Sequence, residues 1–141
     1  QLIRALMLSH LMVIYIKQSL GRLSALCGCV VAATGASCAI TYLMGGNKAR
    51  ISYAIKNMIG NITGMICDGA KPSCAAKIAS AVEAGILGYY MYVNDQQFRG
   101  GDGIVAKGVE NTIRNVGLLA SQGMKQTDRV ILNIMTGDQC L

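Results

Sequence analysis

Residues 23–46, LSALCGCVVAATGASCAITYLMGG, contain no charged side chain and are bounded by Arg22 and Lys48. These twenty-four residues draw as much on Ala, Gly, Ser, Thr and Cys as on Leu, Val and Ile. By length alone the stretch could span a bilayer. Small residues of this kind also let helices approach closely inside an all-helical core, so a buried Gly/Ala-rich central helix is expected. A membrane-associated protein using residues 23–46 as its span is the alternative.

The flanking sequence supports the helical reading. Residues 2–20 keep apolar groups at helical spacing, and Gly21 is a natural stop. Gly45-Gly46-Asn47 breaks the chain, and Asn47 is placed to cap a helix over 48–66. The apolar positions of that helix, Ile51, Ala54, Ile55, Met58, Ile59 and Ile62, follow three-and-four spacing. Asp68-Gly69-Ala70-Lys71 is a turn, and Pro72 suits the first turn of a helix running to about Val93. Residues 94–103 form a polar loop. Asp102 is expected to cap a helix over 103–121, with Gly123 near its end. Thr127 or Asp128 is expected to cap a last short helix through Met135. The expected fold is all-α, a compact bundle of about six helices in one domain over 1–141, with no strand and no internal repeat.

The chain has 141 residues, enough for one domain with a sizeable core. It opens at Gln1 in an apolar pattern, which is expected of the interior of a longer protein, and nothing near it resembles a signal peptide. The formal net charge is +6, but the thirteen basic residues are scattered singly, without a run or an aromatic-interleaved patch. That pattern points away from nucleic acid and toward solvated helix faces. Of the six cysteines, Cys27, Cys29, Cys38 and Cys67 lie in smooth apolar surroundings rather than in a loop-rich scaffold, so reduced thiols in a cytoplasmic protein are expected.

Cys67 and Cys74 lie seven residues apart around a glycine–proline break, and Cys27-Gly28-Cys29 supplies two more sulfurs upstream. Paired thiols at turns suit a thiolate-rich iron–sulfur or zinc site. Helix N-termini favour the thiolate that ligates metal, and Cys74 follows Pro72 in such a position. Cys27 and Cys29, two residues apart, point to different faces of a helix, so only one of them is expected at the site. Zinc fits less well, because there is no C-x-x-C pair and His10 is alone; it is expected to be a satisfied core histidine. Cys38 has nothing to lift it above packing. Three thiolates on a four-iron cluster would leave one iron open as a Lewis acid. The 68–71 turn is either an ordinary helix approach or an anion-holding loop. In the second case Lys71, the backbone of Asp68, Gly69 and Ala70, and Asn61 are the donors for a substrate carboxylate beside Cys67.

The runs Arg22-Leu23-Ser24-Ala25-Leu26-Cys27-Gly28-Cys29 and Asn61-Ile62-Thr63-Gly64-Met65-Ile66-Cys67-Asp68-Gly69-Ala70-Lys71 closely resemble the C-terminal half of the L-cysteine desulfidase family. That family belongs to the iron–sulfur L-serine dehydratase α-chain superfamily. Gly103-Ile104-Val105, Val109-Glu110 and the ending around Thr127-Asp128 also look like this group. The resemblance implies a lyase with an oxygen-sensitive 4Fe-4S cluster held by three cysteines. The amino-acid substrate binds the open iron, a base removes its α-proton, and sulfide (from cysteine) or water (from serine) leaves. The aminoacrylate then decays to pyruvate and ammonia. On this chain Cys67 and Cys74 match two ligands, and Cys27 or Cys29 matches the third. The family's N-terminal functional cysteine is not in this sequence, so the base is expected outside it and the segment alone is expected to be inactive. A non-catalytic helical domain without a cluster is the competing expectation. A homo-oligomer is left open.

Overall fold

Small side chains decide how closely the helices stack. In α2 (Gly28–Leu43) Val30, Val31, Ala33, Thr34, Gly35, Ser37, Cys38, Ala39 and Thr41 are all buried. The helix lies against α1 (Leu2–Leu20), α3 (Lys48–Ile62) and α4 (Cys74–Val93). A Cβ at Gly35 would stand 2.6 Å from Val13 Cγ2 and 2.7 Å from the Ser9 carbonyl oxygen, so only glycine allows α1 this near. The buried hydroxyls of α2 are satisfied: Thr34 donates to the Val30 carbonyl at 2.7 Å, Thr41 to Ser37 at 2.8 Å, and Ser37 across to Gly85 on α4 at 2.9 Å. The buried central helix expected from the sequence is present, within an all-α bundle of six helices among the described residues. The computed structural model describes residues 1–22 and 24–137. Leu23, where the central helix was expected to begin, lies outside them.

The boundaries differ in ways that matter for the site. Residues 24–27 are not helical, and α2 starts only at Gly28. Asn47 does cap α3, its Oδ1 accepting from the Arg50 amide at 3.1 Å. However, α3 ends at Ile62 rather than at 66, and α4 starts at Cys74 rather than with Pro72. The expected helix over 103–121 starts six residues late, as α5 (Val109–Leu118). Gly101 and Gly103 take φ of 107° and 58°, a left-handed backbone that no right-handed helix accommodates. Asp102 accepts the Arg99 amide at 2.5 Å instead of capping a helix. After α5 comes one π-helical turn, Leu119–Gly123, and then α6 (Lys125–Thr136). Thr127 and Asp128 lie inside the first turn of α6, so neither caps it.

The main core gathers Ile16 and Leu20 of α1, Val31 and Cys38 of α2, Ile55 and Ile59 of α3, and Ile113 and Val116 of α5. Asn57, fully buried on α3, donates to the Gly88 carbonyl and accepts from the Phe98 amide at 2.9 Å, which ties the 94–108 loop to the bundle. Among the described residues no helix is long and apolar enough to cross a membrane.

Candidate metal centre

Residues 24–27 leave the helical path because they pair with residues 65–67. The Cys27 amide donates to the Met65 carbonyl at 2.9 Å, and the Cys67 amide donates to the Ala25 carbonyl at 2.6 Å. These bonds flank an antiparallel bridge between Leu26 and Ile66. Side chains alternate along extended backbone, so Leu26 enters the core while Cys27 and Cys67 share the other face. Cys27 itself is extended (φ −62°, ψ 130°) and occupies the N-cap position of α2, so Cys29 falls in the first turn. Their sulfurs approach to 2.8 Å. The expectation that only one of this pair would reach the site assumed that both sat on a helix; Cys27 does not, and both reach it.

The fourth sulfur comes from the other side. Gly69 has φ of 90°, and a Cβ there would also lie 2.7 Å from Met135 Cε, so the turn after Cys67 needs glycine. The turn delivers Cys74 as the first residue of α4, with its thiol 3.6 Å from the Gly69 carbonyl oxygen. The thiols of Cys27, Cys29, Cys67 and Cys74 thus line one cavity of about 540 Å³. Gly28, Gly69 and Ala70 also line it, and Ala32, Ala33, Ala36, Ile78, Ala81 and Val82 form its apolar remainder. Two helices, α2 and α4, present their N-termini to this cavity, and the partial positive charge of a helix N-terminus favours anions.

Asp68 stands beside the cavity and accepts from both Lys71 and Lys77. Those hydrogen bonds, Lys71's first, hold its carboxyl down at about 2. The Cys29 thiol is pushed up to about 11, chiefly by burial and then by its contact with Cys27. A metal ion bound there reverses that balance, because a coordinating thiol loses its proton outright. Cys38 is fully buried in the core away from the cavity, and burial pushes it up to about 12; it packs as a small hydrophobe, as expected.

The other expected residues are less uniform. Gly69 lines the cavity, and Asp68 and Lys71 stand next to it. Asn61 is not among the residues that line it, and it is exposed on the last turn of α3, which ends five residues before Cys67. His10 is exposed on α1 and is not a core residue. Lys77 was missed. The available signal was its position one turn after Cys74, on the same helix face.

Residues 1–133 match the family of the serine dehydratase alpha chain. The chain belongs to that family. Among curated proteins the chain is similar to UPF0597 proteins: that of Parabacteroides distasonis is 70% identical over 140 residues, covering 99% of this chain and 33% of its own length. Those of Bacteroides fragilis and Desulfitobacterium hafniense are 58% and 56% identical, each over 99% of this chain and 33% and 32% of their own lengths. The chain therefore spans about a third of the length of these curated relatives. No solved structure matches it.

Among the described residues the donor set is all sulfur: no carboxylate or imidazole lines the cavity. Among the described residues no three of His, Cys, Asp and Glu come close enough to share a single metal ion. Four sulfur donors around one cavity suit soft, thiophilic metals rather than hard cations.

Proposed function

We propose that this chain is the C-terminal, cluster-binding part of a serine dehydratase α-chain-type lyase acting in the cytoplasm. The reaction is β-elimination on a small L-amino acid. L-Cysteine, giving pyruvate, ammonia and sulfide, is the favoured substrate, on the resemblance carried by residues 22–29 and 61–71. L-Serine, giving pyruvate and ammonia, is the second reading, favoured by the family description that matches 1–133. The observation that supports the proposal most is the convergence of four thiols on one cavity at two helix N-termini.

Cys67, Cys74 and one of Cys27 and Cys29 would hold a 4Fe-4S cluster. When bound, such a cluster supplies an iron without a protein ligand, a Lewis acid. The chain's own groups then hold charge and orient substrate. The N-termini of α2 and α4 stabilise negative charge in the cavity. Ala32, Ala33 and Ala36, with Ile78 and Val82, give the cavity an apolar wall that offers substrate no competing polar group. At the rim, Lys71 is exposed enough to leave Asp68 for a substrate carboxylate, and the backbone around Gly69 adds N–H donors. Asn61 drops out of this set. We place the base that takes the α-proton in the part of the full-length protein beyond this chain.

The test is anaerobic purification of the full-length protein, with iron and sulfide analysis, an ultraviolet–visible spectrum, and pyruvate release from L-cysteine and from L-serine. Protein without iron and sulfide would leave a non-catalytic helical domain. A higher kcat/KM for serine would replace the favoured substrate. Lys71→Ala should keep the cluster spectrum and lower kcat/KM; an unchanged value removes Lys71 from the site.

A further inference from the structure

One side chain reaches both sides of Cys67. Lys77 Nζ donates to the Ile66 carbonyl at 2.9 Å and to Asp68 Oδ1 at 2.5 Å, the residues immediately before and after that cysteine. Lys77 itself sits on α4, three residues beyond Cys74, so it shares the face of the helix that carries the Cys74 thiol. The Cys67 segment also pairs with the Cys27 segment through two backbone bonds. Lys77 thus links that ribbon to the first turn of α4 through side-chain hydrogen bonds, in addition to the 68–73 turn of the chain itself. Lys71 shares the Asp68 carboxylate, but its side chain is 44% exposed against 21% for Lys77, and it grips only Asp68.

We propose that Lys77 is the positioning residue of the four-thiol centre, holding Cys67 in register with Cys74 and setting a fixed positive charge beside the sulfurs. Its ion pair with Asp68 holds Lys77 as a cation. A fixed cation next to an iron–sulfur group favours the more negative, reduced form, so it raises the midpoint potential; charge and hydrogen bonding around the ligands are the protein's means of tuning such a group. The inference rests on the iron–sulfur reading above and adds to it a residue and a property which that reading does not contain.

The test uses full-length protein, anaerobically loaded with iron and sulfide. Lys77→Met, Lys77→Arg and Asp68→Asn are compared with wild type by redox titration and by the rate of iron loss to a chelator, with circular dichroism confirming the helices. Lys77→Met should lower the midpoint potential and speed iron loss by roughly ten- to a hundredfold, the range usual for partners that orient metal ligands. Asp68→Asn breaks the same clamp but removes a negative charge, so iron loss should again quicken while the potential rises. Lys77→Arg should restore both readouts toward wild type. A potential that is unchanged in both variants, or that moves in the same direction in both, overturns the inference, since a merely structural lysine has no reason to reverse sign with charge. Wild-type protein that takes up no iron overturns the iron–sulfur reading itself, and this inference falls with it.

Discussion

Cys29 and Cys38 lie on the same helix, both among alanines, glycines and valines, yet one lines a cavity with three other thiols and the other is sealed in the core. Around Cys38 every neighbouring element runs through as helix, and hydroxyls are satisfied within the bundle. Around Cys29 two chain breaks meet: the extended residues before α2, and the glycine–proline turn before α4. Helix interiors pack to exclusion, whereas helix ends leave space and carry uncompensated backbone dipole. In this fold the difference between a packing cysteine and a candidate ligand is therefore set by where helices end, more than by which residues flank the sulfur.

The largest effect that would sharpen this contrast comes from removing a thiol at the cavity. Cys67→Ala or Cys74→Ala in the full-length protein should abolish cluster content and turnover while leaving the helical circular dichroism unchanged. Retention of full iron in both would break the contrast. Next come two adjacent positions on opposite sides of the divide. Gly35→Val forces a side chain onto Val13 and Ser9 and should cost about 1–3 kcal/mol in urea denaturation. Ala36→Val points into the cavity and should change stability by less than about 0.5 kcal/mol while reducing iron uptake. Equal stability losses at the two positions would mean that the cavity is not the open space described above.

Cys38→Ala should destabilise by about 1 kcal/mol, the loss of one small buried group, and leave iron content at the wild-type level. The smallest effect is expected outside the thiol cavity, where Tyr15 of α1 donates to Glu110 of α5. That bond raises the Tyr15 pKa above its ordinary value of 10.0. A raised folded-state value means that the contribution is complete below pH 10.0 and is lost as pH rises through the folded value. Glu110→Gln should bring the tyrosinate absorbance titration of Tyr15 down toward its ordinary position, with the cluster unaffected; a titration that stays put would remove this contact from the fold.

Much of the helical plan was legible because its signals are local. Apolar spacing in α1 and α3 marks the buried face of each helix, Asn47 carries its own cap, and the small, uncharged residues after Arg22 leave α2 no stable place except the interior. Helix ends were less legible. The pairing of 25–27 with 65–67 joins residues about forty positions apart, and it takes up residues expected at the start of α2 and at the end of α3. The start of α5 was missed for a related reason: two glycines at positive φ and the back-folded Asp102 hold the loop in turns that apolar periodicity does not encode.

The sequence by itself determined an all-α chain with cysteines at its breaks, because helical periodicity, caps and turn residues act over a few positions. Only the tertiary structure decided that Cys27 and Cys29 face the same cavity, that Asn61 lies away from it, and that Lys77 grips both neighbours of Cys67. Each of these depends on an extended pairing or a side-chain reach between distant segments, and such contacts form only when the packed helices bring their ends together.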